Sequence, residues 1–187
     1  DQGHHRGLML YSATELQTLA HLCGQYGWQL NVHAIGDAGN RVALDAFEQG
    51  LTSAQRKTLR PRIEHAQVIS LADIPRFSSL NVIASIQPTH ATSDMNMAED
   101  RVGSERIKGA YAWRKLKEAG ARLAGGSDFP VELANPFHGL YAAVTRKSRD
   151  GNPPNGWRPE EKLTREEALR LFTTDAAYAG HMEDKVG

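Results

Sequence analysis

The chain has 187 residues, 40% of them hydrophobic and 24% charged, enough to bury one substantial core and without the bias of disordered or fibrous sequences. Its 22 Lys and Arg balance 22 Asp and Glu, so no net field recommends nucleic acid or an anionic membrane as partner. A lone cysteine, Cys23, excludes an intrachain disulfide and a cysteine metal cluster, and no run of about 18 apolar residues proposes a membrane span.

Ser12 precedes Glu15 at capping-box spacing, and Leu16, Leu19, Ala20 and Cys23 recur at helical intervals until Gly24 and Gly27 end the predicted helix. Cys23 reads as a small buried hydrophobe of that helix. Trp28 to Val32 reads as a short strand running into His33, and Ala38 to Gln49 as a helix with Val42, Ala43, Ala46 and Phe47 on one face. Arg62-Ile63-Glu64-His65 is the next strand. Ser70 is placed to cap a helix through Phe77, and Asn81 to Gln87 reads as a buried strand stopped by Pro88. The polar stretch from Thr89 to Gly103 is expected to be a long lid or binding loop. A helix is expected from about Glu105 to Ala119, then the strand Ala121 to Ala124, a helix from Pro136 to Lys147, the loop Gly151 to Gly156, and a last helix capped by Thr164 and running through Thr174.

Strands separated by helical segments predict parallel βαβ units with right-handed crossovers. Four strands are half of the eight that a closed (β/α)8 barrel needs, at about 250 residues. Three strand ends carry chemistry: Val32-His33-Ala34-Ile35-Gly36-Asp37, Ile63-Glu64-His65-Ala66-Gln67 and Gly125-Gly126-Ser127-Asp128. Barrel strand ends converge on one face, and imidazole nitrogen and carboxylate oxygen are ligands for a borderline divalent cation. His33, His65 and Asp128 are therefore the candidate metal ligands. Asp128 is also the candidate proton acceptor for a water attacking a carbonyl. His90, heading the polar stretch, is either a group that contacts substrate or the developing oxyanion, or a plain loop histidine. Asp37 is read as a helix cap in preference to a partner for a ligand imidazole, Glu64 as a salt-bridge residue of the barrel wall, and Tyr111 and Trp113 as packing residues. Met95 and Met97 fit either loop packing or an apolar pocket. The adjacent His4 and His5 follow no apolar strand and read as solvated; His21, His138 and His181 read as surface or packing residues of helices.

Taken with Gln87-Pro88-Thr89-His90, Ala110-Tyr111-Ala112-Trp113-Arg114, Ser127-Asp128-Phe129-Pro130-Val131, Asn135-Pro136 and Thr164-Arg165-Glu166-Glu167-Ala168-Leu169, these motifs make the chain resemble the amidohydrolase superfamily, in its amidohydrolase family 3 branch. The resemblance implies an α/β fold that is a partial TIM (β/α)8 barrel, about the last four βα units, with residues 1–187 as the C-terminal half of the barrel domain. It makes His33 and His65 the later histidine ligands and Asp128 the last-strand aspartate, around one or two divalent metals, zinc first. The family's first-strand His-x-His pair, its fourth-strand bridging residue and its flanking β domain have no counterpart in these residues. The implied activity is hydrolysis of a nonpeptide carbon–nitrogen bond, amide or N-formyl, in a small-molecule substrate by the parent protein, with these residues alone expected to be inactive. Ester or cyclic-amide hydrolysis, and a noncatalytic half-barrel module, stay open beside it. A half-barrel is further expected to expose two sheet edges and an apolar sheet face and so to self-associate. With no signal-peptide hydrophobic region near Asp1, a cytoplasmic location is expected, or a periplasmic one if a leader precedes that residue.

Overall fold

The computed structural model describes residues 7–187, so the expectation for His4 and His5 lies outside the described residues. Four short strands, β1 (Asn31–Ala34), β2 (Arg62–His65), β3 (Ile83–Ile86) and β4 (Leu123–Gly125), form one parallel sheet whose spatial order follows the sequence. This is the wall of a partial (β/α) barrel. Val32, Ile63, Ala84 and Leu123 are register partners along one row. All four are buried in a core shared with Leu44, Phe47, Phe77 and Leu116 from the covering helices. Each large apolar side chain taken out of water there stabilises the fold by about 1.5–3 kcal/mol.

The covering helices start where local chemistry allows. α1 (Ala13–Tyr26) opens with the Ser12–Glu15 capping box and ends at Gly27, whose φ of 72° is the left-handed conformation that glycine adopts without strain. Gly24 does not end it; it lies inside the helix. Cys23 is half-buried, and burial pushes its thiol pKa up. α2 (Asp37–Gly50) carries Ala43, Ala46 and Phe47 inward, as its periodicity predicts. A helix absent from the sequence reading, α3 (Ser53–Leu59), follows a second capping box formed by Thr52 and Gln55.

Beyond β2 the elements depart from the expected ones in four places. The helix expected from Ser70 begins later, as α4 (Ile74–Ser79). Asp73 before it is buried and paired with Arg41 at 2.8 Å and Arg76 at 3.2 Å. The expected long loop from Thr89 to Gly103 is instead α5 (Pro88–Asp94) and α6 (Ala98–Arg106), with a break inside α6 at Gly103 (φ 79°). Proline's fixed φ suits the first helical position, so Pro88 both stops β3 and starts α5. Met97 in this stretch is exposed.

The helix expected from Glu105 to Ala119 is shortened to α7 (Trp113–Glu118), preceded by a single 3₁₀ turn, Ile107–Gly109. Here Ile69 N–H donates to Gly109 O at 2.9 Å, Tyr111 N–H donates to Gln67 O at 2.7 Å, and Tyr111 takes φ 49°, so this segment is spent on cross-chain bonds. Tyr111 and Trp113 are buried, and Tyr111 also donates to Asp94. The Pro136 helix forms as α8 (Pro136–Thr145). The last expected helix divides at Thr173 (φ −124°, ψ −100°) into α9 (Arg165–Phe172) and α10 (Thr174–Ala179).

The opposite sheet face departs from expectation. It carries Asn31, His33, Arg62, Glu64 and Ser85, all exposed or half-buried, with Arg62 and Glu64 paired at 2.9 Å. Ile83 and Ala124, its apolar members, pack under Tyr178 and Ala179 around α10. That face is therefore polar where it is open, and an exposed apolar sheet face is not what these residues build.

Two predictions follow from this packing. A Cβ added at Gly109 would lie 1.8 Å from the Ile69 carbonyl oxygen, so Gly109→Ala is expected to destabilise the protein by about 3 kcal/mol, read as a lowered midpoint in urea unfolding. The Arg114 guanidinium, 2.6 Å from Glu167 Oε2, holds the Glu167 pKa at about 2, below its ordinary 4.5. Glu167 therefore stabilises the fold above its ordinary pKa and loses that contribution as pH falls from about 4.5 toward 2. The thermal-stability difference between wild type and Glu167→Gln should shrink through that window, and a gap independent of pH would refute the assignment.

Candidate metal centre

The parallel register brings four strand exits to one end of the sheet. His33 is the third residue of β1, and Ala34 beside it is level with His65, the last residue of β2. His65 (φ 75°) and Ala66 (φ 43°) both occupy the left-handed region, as does Asp128 (φ 58°) beyond β4. Non-glycine residues held there cost about 1–3 kcal/mol each and cluster where a surrounding structure enforces a functional placement. His90 is the third residue of α5.

The side chains meet in a chain of contacts. The His33 and His65 rings are edge-on with centroids 4.4 Å apart, and the His65 and His90 rings are stacked with centroids 5.7 Å apart. His90 Nε2 lies 4.0 Å from Asp128 Oδ2. One ligand atom each from His65, His90 and Asp128 lies within 4.8 Å of the others. His33, named with His65 and Asp128 as a ligand from sequence, stands just outside this compact trio, against His65. The two sets share His65 and Asp128 and differ in which histidine completes them.

Electrostatics and burial fit such a donor set. Partial desolvation of an otherwise exposed ring, then the neighbouring His65, lowers the His33 pKa, while Asp128 and Glu64 act in the opposite direction. The ring is thereby biased to the neutral form, which keeps an electron pair for a cation. His90 Nε2 is buried and has no hydrogen-bond partner among the described residues. A buried polar nitrogen without a partner is costly, and here it faces a carboxylate oxygen across a distance too long for a direct hydrogen bond. That separation is one that a single shared cation or water would bridge.

Two supporting residues escaped the sequence reading. Asn40, fully buried in the first turn of α2, donates from Nδ2 to the carbonyls of Ala34, Ile35, Gly36 and Val68 at 2.9–3.3 Å, tying the exit of β1 to that of β2. Its only signal is an asparagine one turn after Gly36. Gln87 accepts at 2.8 Å from His65 Nδ1 and belongs to a motif read for its proline and histidine. Asp37 is the first residue of α2 and accepts from Ala38 N–H at 3.0 Å, a helix-start role one place inside the cap. Glu64, level with His33 in the sheet, makes its ion pair with Arg62, while His21 bonds Gln25 and His181 bonds the Leu59 carbonyl, both outside the contacts of the cluster. His138 lies within α8.

Comparison with known proteins adds to this geometry. The chain is 34% identical over 191 residues to Protein LONG AFTER FAR-RED 3 of Arabidopsis thaliana, covering 100% of this chain and 32% of that protein. It is 28% identical over 180 residues to N-substituted formamide deformylase of Arthrobacter pascens, covering 94% of this chain and 32% of that one. An uncharacterized metal-dependent hydrolase from Pyrococcus furiosus superposes with a TM-score of 0.82 at 33% identity, over 98% of this chain and 35% of that one. The chain thus spans about a third of the length of the relatives it matches. The model of the family described as "Amidohydrolase family" matches residues 2–187, and with the parallel sheet and the histidine and aspartate strand ends this places the chain in the amidohydrolase family.

Proposed function

We propose that these residues form part of the active site of a metal-dependent hydrolase that cleaves a nonpeptide carbon–nitrogen bond, an amide or N-formyl group, in a small molecule. The observation that carries the reading is the meeting of His33, His65, His90 and Asp128, from four different strand exits, at one end of the sheet. Similarity to N-substituted formamide deformylase supports the choice of bond.

His33, His65 and Asp128 would hold a divalent cation, zinc being the first choice for two imidazoles and a carboxylate. When bound, such a cation lowers the pKa of water and polarises a carbonyl. The chain's own residues do the rest. Asp128 accepts the proton of the attacking water on its carboxylate and returns it to the leaving nitrogen. His90, whose Nε2 lies 4.0 Å from Asp128 Oδ2, is placed at the far side of that proton path, where it can hydrogen-bond the carbonyl oxygen or the leaving group. His33, whose pKa partial desolvation and the neighbouring His65 lower, is suited to supply an electron pair.

In the full-length protein, Asp128→Asn nearly preserves shape but removes the proton acceptor, and kcat on an N-formyl or amide substrate is expected to fall by about 10²- to 10⁴-fold. Near-normal turnover with full metal occupancy would move proton transfer elsewhere, His90 first. The ligand assignment has its own test by metal analysis after dialysis. His33→Ala is expected to lose bound zinc and His90→Ala to retain it; the reverse pattern would make His65, His90 and Asp128 the ligands.

A further inference from the structure

Gln87 is the residue just past β3, and it touches the central imidazole of the cluster. It is 8% exposed. Its Oε1 lies 2.8 Å from His65 Nδ1, and its Nε2 donates to the Ser85 carbonyl at 3.3 Å. The second contact fixes the first. A backbone carbonyl only accepts, so the NH₂ end of the amide faces Ser85 and the oxygen end faces the ring. An amide oxygen also only accepts, so His65 Nδ1 must carry the proton. In the neutral ring the electron pair then resides on Nε2.

The backbone makes this aim reproducible. Gln87 precedes Pro88, and the proline ring confines its predecessor to extended conformations; Gln87 has φ −119° and ψ 98°. The ring it holds has two imidazole neighbours, His33 edge-on at 4.4 Å and His90 stacked at 5.7 Å. His65 also sits in left-handed backbone, which Gln87 helps to hold by anchoring the side chain.

We propose that Gln87 is a positioning residue that locks His65 in the Nδ1-protonated tautomer and so presents Nε2 as the electron-pair donor of the site. The tautomer follows from the hydrogen bonds alone; its use as a ligand rests on the hydrolase reading above. In metal sites, partners of this kind orient ligand imidazoles, and losing one weakens metal binding by about 10- to 100-fold.

The test is long-range ¹H–¹⁵N spectroscopy of full-length protein labelled at histidine, with the His65 signal identified by its loss in His65→Ala, paired with calorimetric titration with Zn²⁺ alone. Wild type is expected to show a protonated Nδ1 and a bare Nε2. Gln87→Leu should shift His65 toward the Nε2-protonated form and weaken zinc binding by about 10- to 100-fold. Gln87→Glu, which keeps an acceptor, should restore the wild-type pattern. A protonated Nε2 in wild type overturns the proposal even if Gln87→Leu fails to fold. So does a Gln87→Leu protein with unchanged tautomer and affinity. If the tautomer follows Gln87 as described but neither protein binds zinc, the positioning role stands and the metal reading falls.

Discussion

Everything at the candidate site depends on the parallel register of the sheet. Because β1 to β4 run the same way and are bonded in sequence order, Ala34, His65 and the end of β3 come level, and Ile86 is level with Gly125. An antiparallel neighbour would send its last residue to the far end. Once the strands are paired, each strand exit contributes one of the four polar residues to the same end of the sheet. The requirement is a buried row of small and branched apolar residues, Val32, Ile63, Ala84 and Leu123, clamped by the helices.

Behind the sheet a second polar arrangement fixes the later helices. Arg146 is fully buried, its guanidinium lying 4.3 Å from the Trp113 ring centroid and 5.0 Å from that of Trp157, and it donates to the Trp157 and Tyr111 carbonyls. Burial lowers its pKa to about 10, so it remains charged at neutral pH. Glu161, also fully buried, accepts from Arg114 N–H and pairs with Lys115. These contacts anchor α7 to α8 and to the segment before α9, where charge that would be costly alone is held by aromatic faces and backbone dipoles.

The strands, the outer helices and the clustered residues were legible because their signals are local: short apolar runs before His33, His65 and Asp128, and capping boxes at Ser12 and Thr164. The errors fall where distant partners decide. Nothing near Ser70 reveals that Asp73 will be drawn into pairs with Arg41 and Arg76. Nothing within the Glu105 to Ala119 stretch reveals that Gly109 will bond Ile69 or that Tyr111 will bond Gln67. The capping box at Thr52 is local and readable, but α3 has no buried residues to mark a face. In the site itself residue types were readable, but the placement of His90 against Asp128 needed the fold. So did the roles of Asn40 and Gln87, which act through bonds to partners that no spacing displays.

Asn40 joins the exits of β1 and β2 through one side-chain nitrogen shared among four carbonyls. Such a hub makes the two exits a single cooperative unit. Amides around Ile35 and Val68 cannot open to solvent one at a time without stranding the carbonyls that Asn40 serves, so hydrogen exchange there is tied to opening of the α2 start as a whole. The backbone beneath His33 and beyond His65 is thereby tied to the start of the helix that carries Asn40.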